Sequence, residues 1–322
     1  MLDLDLYRSI RLTLKPPVQR FIADVYLRFD YRKVDIEVHG ADRIPEGPVL
    51  YAMNHTDNFN YWPFQYWMHR NRNRYTATWV KGKNWEREPV RSFMRLTNNI
   101  PIVSRGYLIS RDFVAAVGRR PEPDEYRRLR DAVNRGAPLP ADLPGALSSL
   151  PRDMFGRTFE PRRERYVDGI EAIYTQMMRW FVGLNHWAFG MGLDVLVFPE
   201  GTRSVRLSRG RIGVAQAALA FGVPVVPIGC SGCDLVYPTD SAVSKPGRVT
   251  YRVGEPILPA RFDDLRPAVA FEPFTRDAEH RHHVAFQSVA DRIMDAIDPL
   301  LDARHQRTDG CSDGSTGVDR FL

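Results

Sequence analysis

Three short segments of this chain carry side chains whose types and spacing suit proton transfer and anion binding. The first is NHTDNFNYW, residues 54–62, directly after the apolar run Val49 to Met53. A neutral imidazole at a strand's end can take a proton from a hydroxyl, provided that its second nitrogen is held by an acceptor. His55 is that imidazole, and Asp57 and Asn60 are the nearby acceptors. A histidine after a strand is also a common structural residue, so His55 alone decides nothing. The second segment is FPEGTRS, residues 198–204, again behind an apolar run, Val195 to Phe198. A Pro-Glu-Gly-Thr turn presents backbone N–H groups, and Thr202 and Arg203 add a hydroxyl and a guanidinium, a set that suits phosphate. Glu200 is placed to accept from a sugar or glycerol hydroxyl. The third segment, NIPIVSRG at 99–106, puts Arg105 before Gly106, where it can clamp a second face of the same anion. Standing alone, the last two read better as an ordinary charged turn and a solvated loop arginine.

These segments need a scaffold, and the rest of the chain supplies its pattern. Strand-like apolar runs fall at Val34 to Val38, Val49 to Met53, Thr76 to Val80, Asp194 to Phe198, Val223 to Ile228 and Val249 to Val253. Helical patterns at Glu88 to Thr97, Val167 to Phe189 and Ile212 to Phe221 separate several of them. Strands alternating with helices predict an α/β fold, a mixed sheet flanked by helices. In such sheets a residue just past a strand's carboxyl end sits at the open edge where ligands bind. Residues 107–165 break the rhythm with prolines, arginines and acids (RRPEPDEYRRLR, GAPLPADLPG), which predicts an insertion with one short helix at most. After 265 a connector leads to a C-terminal helix with Phe286, Val289, Ile293, Ile297 and Leu300 on one face. The predicted organisation is therefore a helical segment at 1–33, the main domain at 34–265, a connector and helix at 266–304, and a disordered tail at 305–322.

At the N-terminus, two short helices meet at Pro16-Pro17. In the second, Val18, Phe21, Ile22, Val25, Tyr26 and Phe29 recur with helical period, flanked by Arg20, Arg28, Arg32 and Lys33. The stripe fits a helix docked on the core and fits equally an amphipathic helix on a membrane surface. The 322 residues carry a net charge of +6, which favours anionic partners such as membrane headgroups and phosphorylated substrates. Nucleic acid is the less suitable partner, because no binding module and no interleaved basic–aromatic patch is present. No apolar run reaches the ~18 residues of a spanning helix, and MLDLDLYRSIRLTL lacks a signal-peptide core. The expectation is a cytoplasmic protein, peripheral to the inner face of the cell membrane. Cys230, Cys233 and Cys311 make no disulfide framework, and the lone CSGC reads as two small residues closing a buried strand rather than a redox or zinc site.

Taken in order, NH at 54–55, IVSR at 102–105, FPEGTRS at 198–204 and VPVVPI at 223–228 resemble the four blocks of the glycerolipid acyltransferases typified by lysophosphatidate acyltransferase. The resemblance runs from about Ile36 to Ile257. It implies a fatty acyl group moved from a thioester, acyl-CoA or acyl carrier protein, to a hydroxyl of a lysophospholipid or glycerol-phosphate-like membrane lipid. It implies His55 as general base with its orienting partner five residues on, at Asn60. Arg105 and Glu200, Gly201, Thr202 and Arg203 would bind the acceptor's phosphate and glycerol. No metal and no cofactor beyond the thioester co-substrate is implied. The chain departs from the family pattern at Asn60, where the family has aspartate, at Asn99 for glycine and at Ile102 for phenylalanine. A weakened relative that binds lipid or an acyl carrier without turnover is the alternative that Asn60 favours.

Overall fold

The computed structural model describes residues 2–308. A seven-stranded sheet forms the centre, built from β1 (Val34–His39), β2 (Leu50–Met53), β3 (Thr76–Lys81), β4 (Asn99–Ile102), β7 (Asp194–Val197), β8 (Val225–Ser231) and β9 (Gly247–Val253). A short antiparallel hairpin, β5 (Arg152–Asp153) with β6 (Thr158–Phe159), lies outside it. The order across the sheet is β1-β9-β8-β2-β7-β3-β4. Strands β8, β2, β7, β3 and β4 run parallel, and β9 turns antiparallel to β8 and carries β1 parallel to itself. This is the mixed sheet that the alternating pattern predicts. Strand β4 escapes the pattern because Pro101 sits inside it; it is an edge strand, where a missing N–H costs little.

Every residue of β2, β7 and β8 is buried, as parallel strands covered on both faces must be. Successive residues feed opposite cores. Leu50, Ala52, Val195 and Val197 face one cluster, and Tyr51, Met53 and Leu196 face the other. The first face is covered by α1 (Leu4–Ser9), α5 (Val90–Leu96), α6 (Arg105–Val117), α7 (Pro123–Arg135), α8 (Ala146–Ser149), α9 (Tyr166–Gly190), α10 (Ile212–Phe221) and α12 (Arg276–Ile297). Against the second pack α4 (Trp62–Arg72), α11 (Cys233–Val236) and a helix that runs from α2 (Pro17–Phe21) through a π-helical turn, Ile22–Leu27, into α3 (Arg28–Asp30).

Several expectations change here. The 107–165 region is not a loose insertion. It holds two 13-residue helices, α6 and α7, whose Leu108, Ile109, Phe113, Leu129 and Val133 are core. The prolines and acids that read as loop are caps: Glu122 and Glu125 form a reciprocal capping box with Pro123 in the first turn. The two N-terminal helices also differ in kind. Leu2, Leu4, Tyr7, Ile10 and Leu12 are buried, with Tyr7 Oη donating to Pro101 O (2.9 Å), so the first helix is core. In the second, Ala23 and Leu27 are buried, while Phe21, Val25 and Phe29 stand 64%, 53% and 70% exposed at four-residue spacing. Nor is His305 in a disordered tail. It is buried, its Nδ1–H donates to Val205 O (2.7 Å), and its Nε2 accepts from Gly232 N (3.3 Å). Residues 309–322 of that expected tail lie outside the described residues.

Candidate active site

Because β2, β7 and β3 are parallel neighbours, the residues past their carboxyl ends share one edge. These are His55 after β2, the 198–204 turn after β7, and Lys81 closing β3. Two backbone ties fix His55 to the turn: its N–H donates to Glu200 Oε2 (2.7 Å), and its carbonyl accepts from Ser204 N (2.8 Å). The turn itself needs Gly201, whose φ of +65° is a left-handed conformation that side chains disfavour. On the other flank Asn54 welds the loop to β8. Its Nδ2 donates to Cys230 O (2.9 Å) and its Oδ1 accepts from Cys230 N (2.7 Å). Both cysteines there are buried free thiols.

The imidazole of His55 stacks on Phe198 with ring centroids 4.0 Å apart and planes 14° from parallel. Its Nδ1 lies 3.3 Å from Asn60 Oδ1. The fully buried Asn60 spends its Nδ2 on Asn54 O (2.7 Å), so the atom it turns to the ring is the acceptor. That network assigns the proton to Nδ1 and leaves the Nε2 lone pair available. Burial, and after it the positive charges of Lys81 and Arg203, push His55 down to about 3, against the bond from Asn60, which raises it. The ring is therefore neutral across the physiological range. Asp57 is not the partner: its carboxylate caps Phe59 N (2.8 Å) and takes Thr56 Oγ1 (2.8 Å).

The remaining expected site residues divide. Glu200 is buried and its oxygens are already used, by His55 N, by Ser208 N (2.8 Å) and by Ser208 Oγ (3.0 Å). It holds the site together rather than waiting for a substrate hydroxyl, and burial pushes its pKa up to about 7. Arg203 is exposed and meets Asp240 at 3.1 Å, so its guanidinium is accessible; Thr202 is part-buried on the same turn. Arg105 is the clear correction. It is 8% exposed, with Nε and Nη2 bonded to Glu171 (2.6 and 3.0 Å), Nη1 bonded to Glu279 (2.6 Å) and the Tyr174 ring 4.0 Å away. Burial opposes its charge, but Glu171, Tyr174 and Glu279 hold its pKa above the ordinary value. Strand β4 stands three positions from β2, about 14 Å at the usual strand spacing. Arg105 thus follows a different part of the edge from His55, with its donors committed to carboxylates.

Lys81 and Asn54 are the residues that sequence reasoning passed over. Lys81 has a signal, a lysine closing an apolar strand whose neighbours end in the other motifs. Asn54 shows only as the residue before His55.

The acyltransferase family model matches residues 35–126, which include His55, Asn60 and Lys81 but not the 198–204 turn. Over that segment, less than a third of the chain, the sequence is similar to the acyltransferases. No curated protein sequence matches it. Among solved structures, the 1-acyl-sn-glycerophosphate (LPA) acyltransferase PlsC from Thermotoga maritima is similar at 17% identity over 90% of this chain and 86% of that one, with a TM-score of 0.39. That likeness is too loose to place side chains. His55 and the fifth residue after it, Asn60, are brought into contact by this chain's own geometry.

Proposed function

We propose that this chain is an acyltransferase that transfers a fatty acyl group from a thioester to a hydroxyl of a phosphate-bearing glycerolipid. The observation that carries the reading is the His55–Asn60 contact, which leaves Nε2 unprotonated in a ring that feels the charges of Lys81 and Arg203. In the reaction Nε2 takes the acceptor's hydroxyl proton as the oxygen attacks the thioester carbonyl. Collapse of the adduct breaks the C–S bond, and the leaving thiolate recovers the proton from the imidazolium, so no group remains on the protein. Arg203 and Lys81 supply the positive charge that an acceptor phosphate requires. Acyl-CoA and acyl carrier protein are both suitable donors, and no metal enters the scheme.

The exposed ridge Phe21, Val25 and Phe29, with Arg20, Arg28, Arg32 and Lys33 around it, supports action at an anionic membrane surface. No helix among the described residues is long and apolar enough to cross a membrane. The same ridge supports the proposal of a cytoplasmic protein, peripheral to the inner face of the cell membrane.

One observation favours a second reading, a lipid or acyl-carrier binder without turnover. A ring held down at about 3, with a neutral amide behind it, is a weak base. A single experiment separates the two. Purified protein is incubated with labelled acyl-CoA or acyl carrier protein and a panel of lysolipids, and acylated product is sought. Product that disappears in His55→Ala establishes transfer, whereas bound lipid with no product in any combination establishes the binder.

A further inference from the structure

Beside the 198–204 turn, on the face covered by α6, α7 and α12, a cleft of about 730 Å³ opens. Arg105, Arg130, Asn134, Arg211, Glu279 and His280 are among the side chains on its wall. Its charge balance is unusual. Arg105 and Arg276 cancel Glu171 and Glu279, since Arg105 bonds both carboxylates and Arg276 reaches Glu171 at 3.4 Å. What remains is positive. Arg211 makes no side-chain hydrogen bond and no ion pair among the described residues, and its Nε is buried with no partner. Arg130 lies over the Tyr126 ring at 5.9 Å, and its one ion pair among the described residues is with half-exposed Asp131, its own chain neighbour, at 3.4 Å. A buried guanidinium N–H without an acceptor costs free energy that an anionic ligand recovers. Asn134 adds a neutral donor, and the volume lies within the range of small-molecule sites.

The cleft is joined to the reaction centre. Arg211 N–H donates to Pro199 O (2.8 Å), one residue before Glu200, which in turn holds His55. From there the wall runs outward to Arg105, past the end of β4, three strand spacings or about 14 Å from the end of β2. A thioester donor has this shape: an acyl carbonyl at one end, an extended pantetheine arm, and phosphate at the far end.

We propose that this cleft binds the phosphate-bearing end of the donor's pantetheine arm, with Arg211 and Arg130 as the anion ligands. The proposal rests on the acyl-transfer reading and adds to it the place of the donor. The phosphate has two sources, coenzyme A and the prosthetic arm of a carrier protein, and the shared chemistry is the phosphopantetheine unit.

The test compares three thioesters of one fatty acid, acyl-CoA, acyl-phosphopantetheine and acyl-pantetheine, on wild type, Arg211→Gln and Arg130→Gln. Urea unfolding first establishes that each variant is folded. The expected result is that the kcat/KM ratio of acyl-phosphopantetheine over acyl-pantetheine falls by about tenfold in each variant, the loss of one charge-assisted bond. A larger fall for acyl-CoA means that the nucleotide phosphates also bind there and names coenzyme A as the donor. An equal fall confines recognition to the arm that a carrier protein shares. Equal losses on all three substrates, including acyl-pantetheine, overturn the proposal while leaving transfer standing. Should wild type transfer from none of them, the functional reading fails, and calorimetric titration with coenzyme A then decides the cleft by itself. Binding weakened about tenfold or more by Arg211→Gln sustains the site, and absent or unaffected binding removes it.

Discussion

Replacing Asn60 by aspartate sets a negative charge 3.3 Å from His55 Nδ1. At an effective dielectric constant of about 20, opposite charges at that separation attract by about 5 kcal/mol. That energy equals roughly 3–4 pH units on the imidazolium, enough to lift the ring from about 3 to near its ordinary 6.5. If half the ring's charge has developed in the transition state, about 2.5 kcal/mol of the attraction lowers the barrier, and kcat rises roughly 70-fold. The gain has a structural cost. The new carboxylate cannot donate to Asn54 O as Asn60 Nδ2 does, and an unsatisfied buried carbonyl costs about 1–3 kcal/mol of stability. The tautomer stays the same, because either oxygen acceptor keeps the proton on Nδ1, so the effect isolates charge from orientation. The assay is an NMR titration of the His55 ring, assigned with His55→Gln, alongside kcat for acyl transfer. Asp57→Asn serves as control, and its activity should change by less than about threefold, since Asp57 caps its own loop and meets the Cys233 thiol rather than the His55 ring. A ring that fails to rise by about one unit in Asn60→Asp refutes the electrostatic argument. A ring that rises while kcat falls refutes His55 as the base.

Arg105→Ala should lower stability by about 3–5 kcal/mol in urea unfolding, because it strands two carboxylates; an acceptor KM raised more than that of the donor would return Arg105 to the acceptor site. For Glu200 the folded pKa, about 7, lies above the unfolded 4.5, so the unfolded chain loses its proton first as pH rises. Stability should therefore fall by up to about 3 kcal/mol between pH 4.5 and 7 and then level off; Glu200→Gln should flatten that slope, and an unchanged slope assigns it to other groups. Exchanging Phe21, Val25 and Phe29 for serine should abolish binding to anionic vesicles without unfolding the chain, since all three are exposed. Undiminished binding would clear the ridge of that role.

Much of the sheet and the core of the site are legible in the sequence because they obey local rules. Apolar runs become strands, a residue past a parallel strand reaches the open edge, and the five-residue step from His55 to Asn60 closes a loop that returns to the ring. What escapes is non-local. Nothing near Arg105 announces that Glu171 and Glu279 will neutralise it, since one lies on α9 and the other on α12. The same holds for Glu200, whose carboxylate reads as a ligand for substrate until His55 N and Ser208 take it. Helix α7 was within reach, because Tyr126, Leu129 and Val133 keep helical spacing, but the density of proline and arginine hides the period from composition-based reading.

The strand order also bears on how the chain is made. Strand β2 leaves the ribosome early, yet both its neighbours, β7 and β8, are encoded far downstream, and β1 waits for β9. Local pairing among the described strands is left to β3 with β4, β8 with β9 and the β5–β6 hairpin. At ~5–20 residues per second the first strands wait on the order of ten seconds or more for their partners. Through that interval the apolar edges of Leu50 to Met53 are open to other nascent chains. Translation speed and early chaperone contact should therefore govern the yield of soluble protein more strongly than the stability of the finished fold does.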